Sequence, residues 1–126
     1  MKKKLLSVVL AITMILLSSL VVYAVEVNRD SGSVGGYSCY GSLWTISSKS
    51  MGATTYVSTS SSNVSENTTT VRVRASGYDP VEVTNGPYAS NEVDATASIG
   101  GSIGSATGTH TLILKTGDPW DGDTFY

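Results

Sequence analysis

The sequence predicts an all-β protein, a small antiparallel β-sandwich of six or seven strands preceded by a cleaved signal peptide. Three observations predict it. Short windows downstream of Ala24 alternate apolar and polar side chains with period two. No long window there places apolar residues at the three-and-four spacing of a helix. Gly, Asn, Ser or Pro interrupts the chain about every ten residues, the rhythm of stacked short strands.

The leader is read from its order of charge, apolarity and small residues. Met1, Lys2, Lys3 and Lys4 form a cationic start, Leu5 to Tyr23 carries no charge, and Val22 and Ala24 are small enough to flank a cut. Glu26 restores charge just beyond. Cleavage after Ala24 is expected, so residues 1–24 form the signal and 25–126 a single domain. The rival reading is an uncleaved membrane anchor, because about 18 apolar residues suffice to cross a bilayer. Ser7, Thr13, Ser18 and Ser19 weaken it, and contact with a membrane is expected only through an uncleaved leader.

Removing the leader from the 126-residue chain leaves 102 residues, one domain's worth of core. Three of the eight Lys and Arg residues leave with it and none of the ten acids, so five bases face ten acids and the formal charge becomes −5. That balance argues against nucleic acid as a partner, since its affinity rests on neutralising phosphates. Cys39 is the only cysteine, so no internal disulfide staples the fold, and it reads as a small buried hydrophobe. The alternative for Cys39 is an intermolecular bridge or a reactive thiol.

The strands follow in order. Tyr37 to Ser47 and Ala53 to Ser61 are rich in aromatic and β-branched residues, with Lys49, Ser50, Met51 and Gly52 as the turn between them. Ser58 to Thr70 reads as a polar hairpin loop, although Asn63-Val64-Ser65 and Asn67-Thr68-Thr69 match glycosylation acceptors. Thr68 to Ser76 is the clearest strand, with Val71, Val73 and Ala75 on one face and Thr70, Arg72 and Arg74 on the other. That cationic stripe is expected on a solvated face, paired with acids of a neighbouring strand.

Asp79-Pro80 and Asn85-Gly86-Pro87 read as turns around a short edge strand, Val81 to Val83. Asn91 to Ile99 alternates again, setting Val93, Ala95, Ala97 and Ile99 against Asp94, Thr96 and Ser98. Gly100-Gly101 and Gly104 are expected to break any strand there. Thr109 to Thr116 places His110, Leu112 and Leu114 together, and the rest reads as a polar tail. The Cys-Trp-Cys signature of antibody domains is absent, so the sandwich is Ig-like in architecture only.

Candidate chemistry is sparse. His110, the only histidine, lies on an apolar strand face and reads as a hydrogen-bonded structural residue, with a general base as the alternative. Gly100-Gly101-Ser102-Ile103-Gly104 matches the letters of a serine nucleophile elbow, which requires a strand-to-helix turn that this region does not suggest. Asp79, Glu82, Glu92 and Asp94 offer carboxylates but no legible pairing. The chain is therefore not expected to be an enzyme, and no cofactor is expected.

Asp118, Asp121 and Asp123 around Gly122 form a weak calcium candidate that misses the EF-hand spacing, and a solvated acidic turn is favoured. Trp120, Phe125 and Tyr126 beside them are the candidate partner contacts. With Trp44, Tyr37, Tyr40, Tyr56, Tyr78 and Tyr88 they supply rings suited to stacking on a sugar or a protein. Trp44 is expected in the core and Trp120 as a cap on the sandwich end.

The function these features suggest is a secreted or surface-associated interaction module that binds an extracellular protein or glycan through loops or an exposed strand edge. In size and outline, and in the closing Thr124-Phe125-Tyr126, the chain is similar to lactococcin-972-type bacteriocins, which are exported, cysteine-poor and β-rich. That likeness implies a small antimicrobial or toxin-like protein as the second reading. A third is an extracellular matrix or assembly subunit that polymerises edge to edge.

Overall fold

The computed structural model describes residues 24–126, so the expected leader falls almost wholly outside the described residues. Eight strands run through them: β1 (Val25–Val34), β2 (Tyr37–Ser47), β3 (Ser50–Val57), β4 (Val64–Ala75), β5 (Val81–Tyr88), β6 (Glu92–Ser98), β7 (Ile103–Leu114) and β8 (Pro119–Phe125). A single turn of 3-10 helix, Ser61–Asn63, precedes β4. The strands form two antiparallel four-stranded sheets, β1-β2-β3-β6 and β5-β4-β7-β8. The all-β expectation holds, with eight strands in place of six or seven.

The strongest alternations become strands because pleating sends successive side chains to opposite faces. Val71, Val73 and Ala75 of β4, Val93, Ala95 and Ala97 of β6, and His110, Leu112 and Leu114 of β7 are all buried. Arg72 points outward and meets Glu82 across the β4–β5 ladder at 3.8 Å, the pairing expected of that stripe. Both side chains are well exposed, so the pair adds little stability.

Several boundaries differ from the expectations. The β2–β3 turn is only Ser48 and Lys49, while Ser50, Met51 and Gly52 already belong to β3. β3 ends at Val57 and β4 begins at Val64, so the polar loop is shorter than Ser58 to Thr70. Asn85-Gly86-Pro87 lies inside β5, where Gly86 takes φ 104° opposite a register shift between Asn67 and Thr69. The turn-forming residues are absorbed as a bulge on an edge strand, where the ladder tolerates them. Gly104 likewise sits within β7. The supposed tail is strand β8, and β1 had no counterpart in the sequence reading.

The core has three parts. One apolar cluster joins Leu43, Met51, Ala53, Ala95 and Ala97 of the first sheet to Val71, Val73 and Ala106 of the second. A second gathers Val34, Cys39, Val57, Val64, Leu112 and Leu114, with Trp120 packed against it. Between them runs a fully buried polar belt of Thr55, Thr69, His110 and Thr124, with Asn67 beside it. Registers place Gly41 and Thr55 one step from Leu43 and Ala53, and Cys39 and Val57 one step the other way.

The sheet edges are stacked in pairs, β1 against β8 and β5 against β6. Asp30 Oδ2 accepts from the Asp123 amide at 3.2 Å, and Asn85 Nδ2 donates to the Asp94 carbonyl at 2.6 Å. Each bond occupies a backbone group of one edge strand with a side chain of the edge strand stacked on it. This is a known way of blunting a sheet edge against pairing with another chain.

Candidate functional site

Two constellations stand out, one inside the sandwich and one on its surface. The inner one centres on His110. Gly41 of β2 and Gly108 of β7 face the ring, and a Cβ on Gly41 would collide with the imidazole, so glycine there makes the room. The Thr69 hydroxyl donates to the Val93 carbonyl at 2.8 Å. Because a carbonyl only accepts, Thr69 must receive from Thr55, 2.6 Å away. The Thr55 oxygen then accepts from His110 Nδ1–H at 2.9 Å, and the bare Nε2 accepts from the Thr124 hydroxyl at 3.0 Å.

The shorter of the two hydroxyl-to-carbonyl contacts, 2.8 Å at Val93 against 3.5 Å from Thr124 to Gly108, assigns the proton of the neutral imidazole to Nδ1. Burial pushes the His110 pKa down to about 4, outweighing the opposing pull of the Asp123 and Asp30 carboxylates. His110 is the hydrogen-bonded structural residue that its strand face suggested. With no solvent at the ring and both nitrogens engaged, it is poorly placed for general base work. Cys39 is buried as expected, and burial raises its thiol pKa above the ordinary value.

The outer constellation covers the solvent side of the first sheet. Directly opposed residues share a face, and so do residues two apart. Register therefore builds a three-by-three array: Tyr40, Tyr56 and Glu92; Ser42, Thr54 and Asp94; Trp44, Gly52 and Thr96. Trp44 belongs to this outer array and not to the core, because its neighbour Leu43 takes the inward position. Gly52, directly opposite, lets the indole lie across the sheet, since a Cβ there would strike the ring. Trp44 Nε1 donates to Thr54 Oγ1 at 3.1 Å, and Thr54 donates in turn to Asp94 Oδ1 at 2.5 Å.

The tyrosines are held as well. Tyr40 and Tyr56 pack with ring centroids 5.1 Å apart and planes tilted by 32°. The Arg29 guanidinium sits 3.9 Å above the Tyr40 ring and is gripped by Glu26, Nη2 to Oε2 at 2.6 Å. Side chains fixed in this way lose little further conformational freedom on meeting a ligand, which lowers the cost of binding. Ser42, Gly52 and Thr54 form a low floor between the half-buried rings.

The second sheet presents a different exterior. Its outer rows carry Thr68 and Thr70 on β4, Thr84 on β5, Thr107, Thr109 and Thr111 on β7, and the Arg72–Glu82 pair. Its exposed aromatic side chains are Tyr88 on β5 and Phe125 on β8, set apart on opposite edge strands.

The remaining sequence candidates disperse. Trp120 is half-buried against the second core cluster and over Gly32 and Gly122, whereas Phe125 and Tyr126 are exposed, so the three do not form one contact surface. Asp118 accepts from the Thr116 hydroxyl in a turn, while Asp121 and Asp123 line the outer side of β8. Among the described residues these carboxylates are not gathered into a metal-holding group. Ser102 sits in a turn leading into β7, which is a strand, so the nucleophile-elbow geometry is not formed. Asn67 is fully buried and closed to glycosylation in the folded chain, whereas Asn63 is exposed. No enclosed pocket opens among the described residues.

Sequence reasoning counted the tyrosines as a supply of rings but did not place them together. The signal was available: Tyr40 and Trp44 are four apart on one strand, and a register that pairs Tyr40 with Tyr56 sets Trp44 against Gly52. No family model, curated protein or solved structure matches the chain.

Proposed function

We propose that this chain is an exported β-sandwich interaction module that engages an extracellular protein or glycan, and that its contact surface is the outer face of the first sheet. The carrying observation is the immobilised aromatic array of Tyr40, Trp44 and Tyr56, set among hydroxyls and carboxylates on an open sheet. Large rings with polar handles are what contact surfaces for proteins and sugars share. The lysine-rich, then apolar, then small-residue order of residues 1–24 supports export. The outer face replaces the loops and strand edges expected to carry contact, where no comparable gathering of aromatic side chains is found among the described residues.

An assembly subunit that pairs edge to edge would have to compete with the two seam bonds, Asp30 to Asp123 and Asn85 to Asp94, and among the described residues no comparable feature of the edges favours that reading. The test is binding of the purified protein to a glycan array and to intact bacterial cells, beside a Trp44→Ala, Tyr56→Ala variant. Retention by the wild type and loss in the variant is the expected result. Equal retention by both would remove the face from consideration. Killing of related bacteria by the purified protein would favour the bacteriocin-like reading instead.

A further inference from the structure

We propose that the outer face of the first sheet takes an arginine side chain of a basic partner protein, seated between the Tyr56 ring and the carboxylates of Glu92 and Asp94. This rests on the reading of that face as the contact surface. The carrying observation is that the face already holds one arginine in the same way. Arg29 reaches over from β1 with its guanidinium 3.9 Å above the Tyr40 ring, and Glu26 grips it through Nε at 3.0 Å and Nη2 at 2.6 Å. A planar cation uses both features, stacking on an aromatic face and forking onto carboxylate oxygens.

The same parts recur further along the sheet without the cation. The strand order is β1, β2, β3, β6, so Arg29 and Tyr56 approach Tyr40 from opposite sides. The side of Tyr56 away from Tyr40 therefore looks toward β6. Glu92 is its direct register partner there, and Asp94, opposite Thr54, lies on the same face. Directly opposed side chains have Cβ atoms about 5 Å apart, so a guanidinium laid against Tyr56 is within reach of Glu92. Asp94 Oδ1 accepts from Thr54, which leaves Oδ2 for another donor. Both carboxylates are exposed, and neither forms an ion pair among the described residues.

Charge points to the same occupant. On the β1 side of the face Glu26 and Arg29 cancel, whereas on the β6 side Glu92 and Asp94 stand uncompensated. The chain downstream of Ala24 carries a formal −5, so a cationic partner is drawn to it during encounter as well as in contact. A neutral sugar would use the rings and leave the carboxylate charge unmatched.

The test is a magnetic-resonance titration of the purified protein at low salt with a peptide of alternating Arg and Gly, beside a Glu92→Gln, Asp94→Asn variant. Both replacements keep the side-chain size, and an amide oxygen in place of Asp94 Oδ1 still accepts from Thr54. Wild-type shifts should concentrate at Tyr56, Glu92 and Asp94, and the variant should bind about tenfold more weakly or worse. A Lys-Gly peptide should bind about threefold more weakly than the Arg-Gly peptide, because an ammonium neither stacks nor forks. Four results would overturn the proposal: no shift at Tyr56, equal affinity in the variant, equal affinity for the lysine peptide, or shifts spread over the acids of both sheets. A neutral sugar oligomer that binds this face in place of the peptide, equally in wild type and variant, would overturn it too while keeping the face as the contact surface. Failure of the face itself reads differently, as equal retention of the wild type and the Trp44→Ala, Tyr56→Ala variant on the glycan array and on cells.

Discussion

The buried belt and the outer aromatic array use the same strands, and adjacent residues serve opposite ends. On β3, Thr55 points into the belt while Tyr56 and Thr54 point to solvent; on β2, Gly41 makes room for His110 while Tyr40 carries the Arg29 stack. The alternation of a pleated strand lets one segment hold the sheets together and present a contact surface. The difference teaches that inward substitutions here should register in stability and outward ones in binding.

The largest expected effect is at Gly41. Gly41→Val drives a branched side chain into the imidazole and should cost about 3 kcal/mol, read as a lower urea midpoint. A variant as stable as the wild type would show that the belt can rearrange, and the comparison would lose its inner half.

Acid should produce an effect of similar size. The His110 pKa is about 4 in the folded protein against 6.5 for the ordinary side chain. Between those values the unfolded chain binds the proton and the folded one does not, so stability falls as pH drops through this window and is fully present above 6.5. The loss by pH 4 approaches about 3 kcal/mol. Denaturation curves taken every half unit between pH 7 and pH 4 check it, and a flat profile would mean that the ring is not sealed.

Thr69→Val comes next. It leaves the Val93 carbonyl with one hydrogen bond fewer and strips Thr55 of its short acceptor, for about 2 kcal/mol. Thermal melts of this variant beside Thr70→Val sharpen the comparison. Thr70 faces outward, where its bond to Thr84 is exposed, and its loss should stay within about 0.5 kcal/mol. Equal losses would blur inside and outside.

The sequence disclosed the fold wherever one face was apolar and the other was not. Val71 to Ala75 and Val93 to Ala97 alternate cleanly because both strands line the first core cluster. β1 escaped notice because Asn28, Arg29, Asp30, Ser31, Gly32 and Ser33 include no apolar residue, and as an edge strand it stays largely exposed. β8 escaped because its inward residues after Trp120 are Gly122 and Thr124, small or polar groups that suit a belt instead of an oily core. Turn-forming residues misled at Asn85 to Pro87, where an edge strand absorbs them.

The sites were legible in part. His110 could be assigned to the interior from Leu112 and Leu114, but its partners come from β3, β4 and β8, and long-range register is not written in one strand's pattern. Trp44 was misplaced for a plain reason. Leu43 and Trp44 are adjacent, only one can face inward, and the larger ring takes the outside because Gly52 opens a seat there.

A modest effect on stability should accompany the largest effect on contact. Trp44→Ala removes one partly buried hydrogen bond and should cost about 1 kcal/mol of folding stability. A central aromatic anchor of a contact surface typically carries 2 kcal/mol or more, so affinity for whichever array ligand the wild type retains should fall by about thirtyfold. That affinity ratio is the most direct measurement. The account predicts a folded Trp44→Ala protein that has lost its ligand, and a folded variant that binds as tightly as the wild type would contradict it.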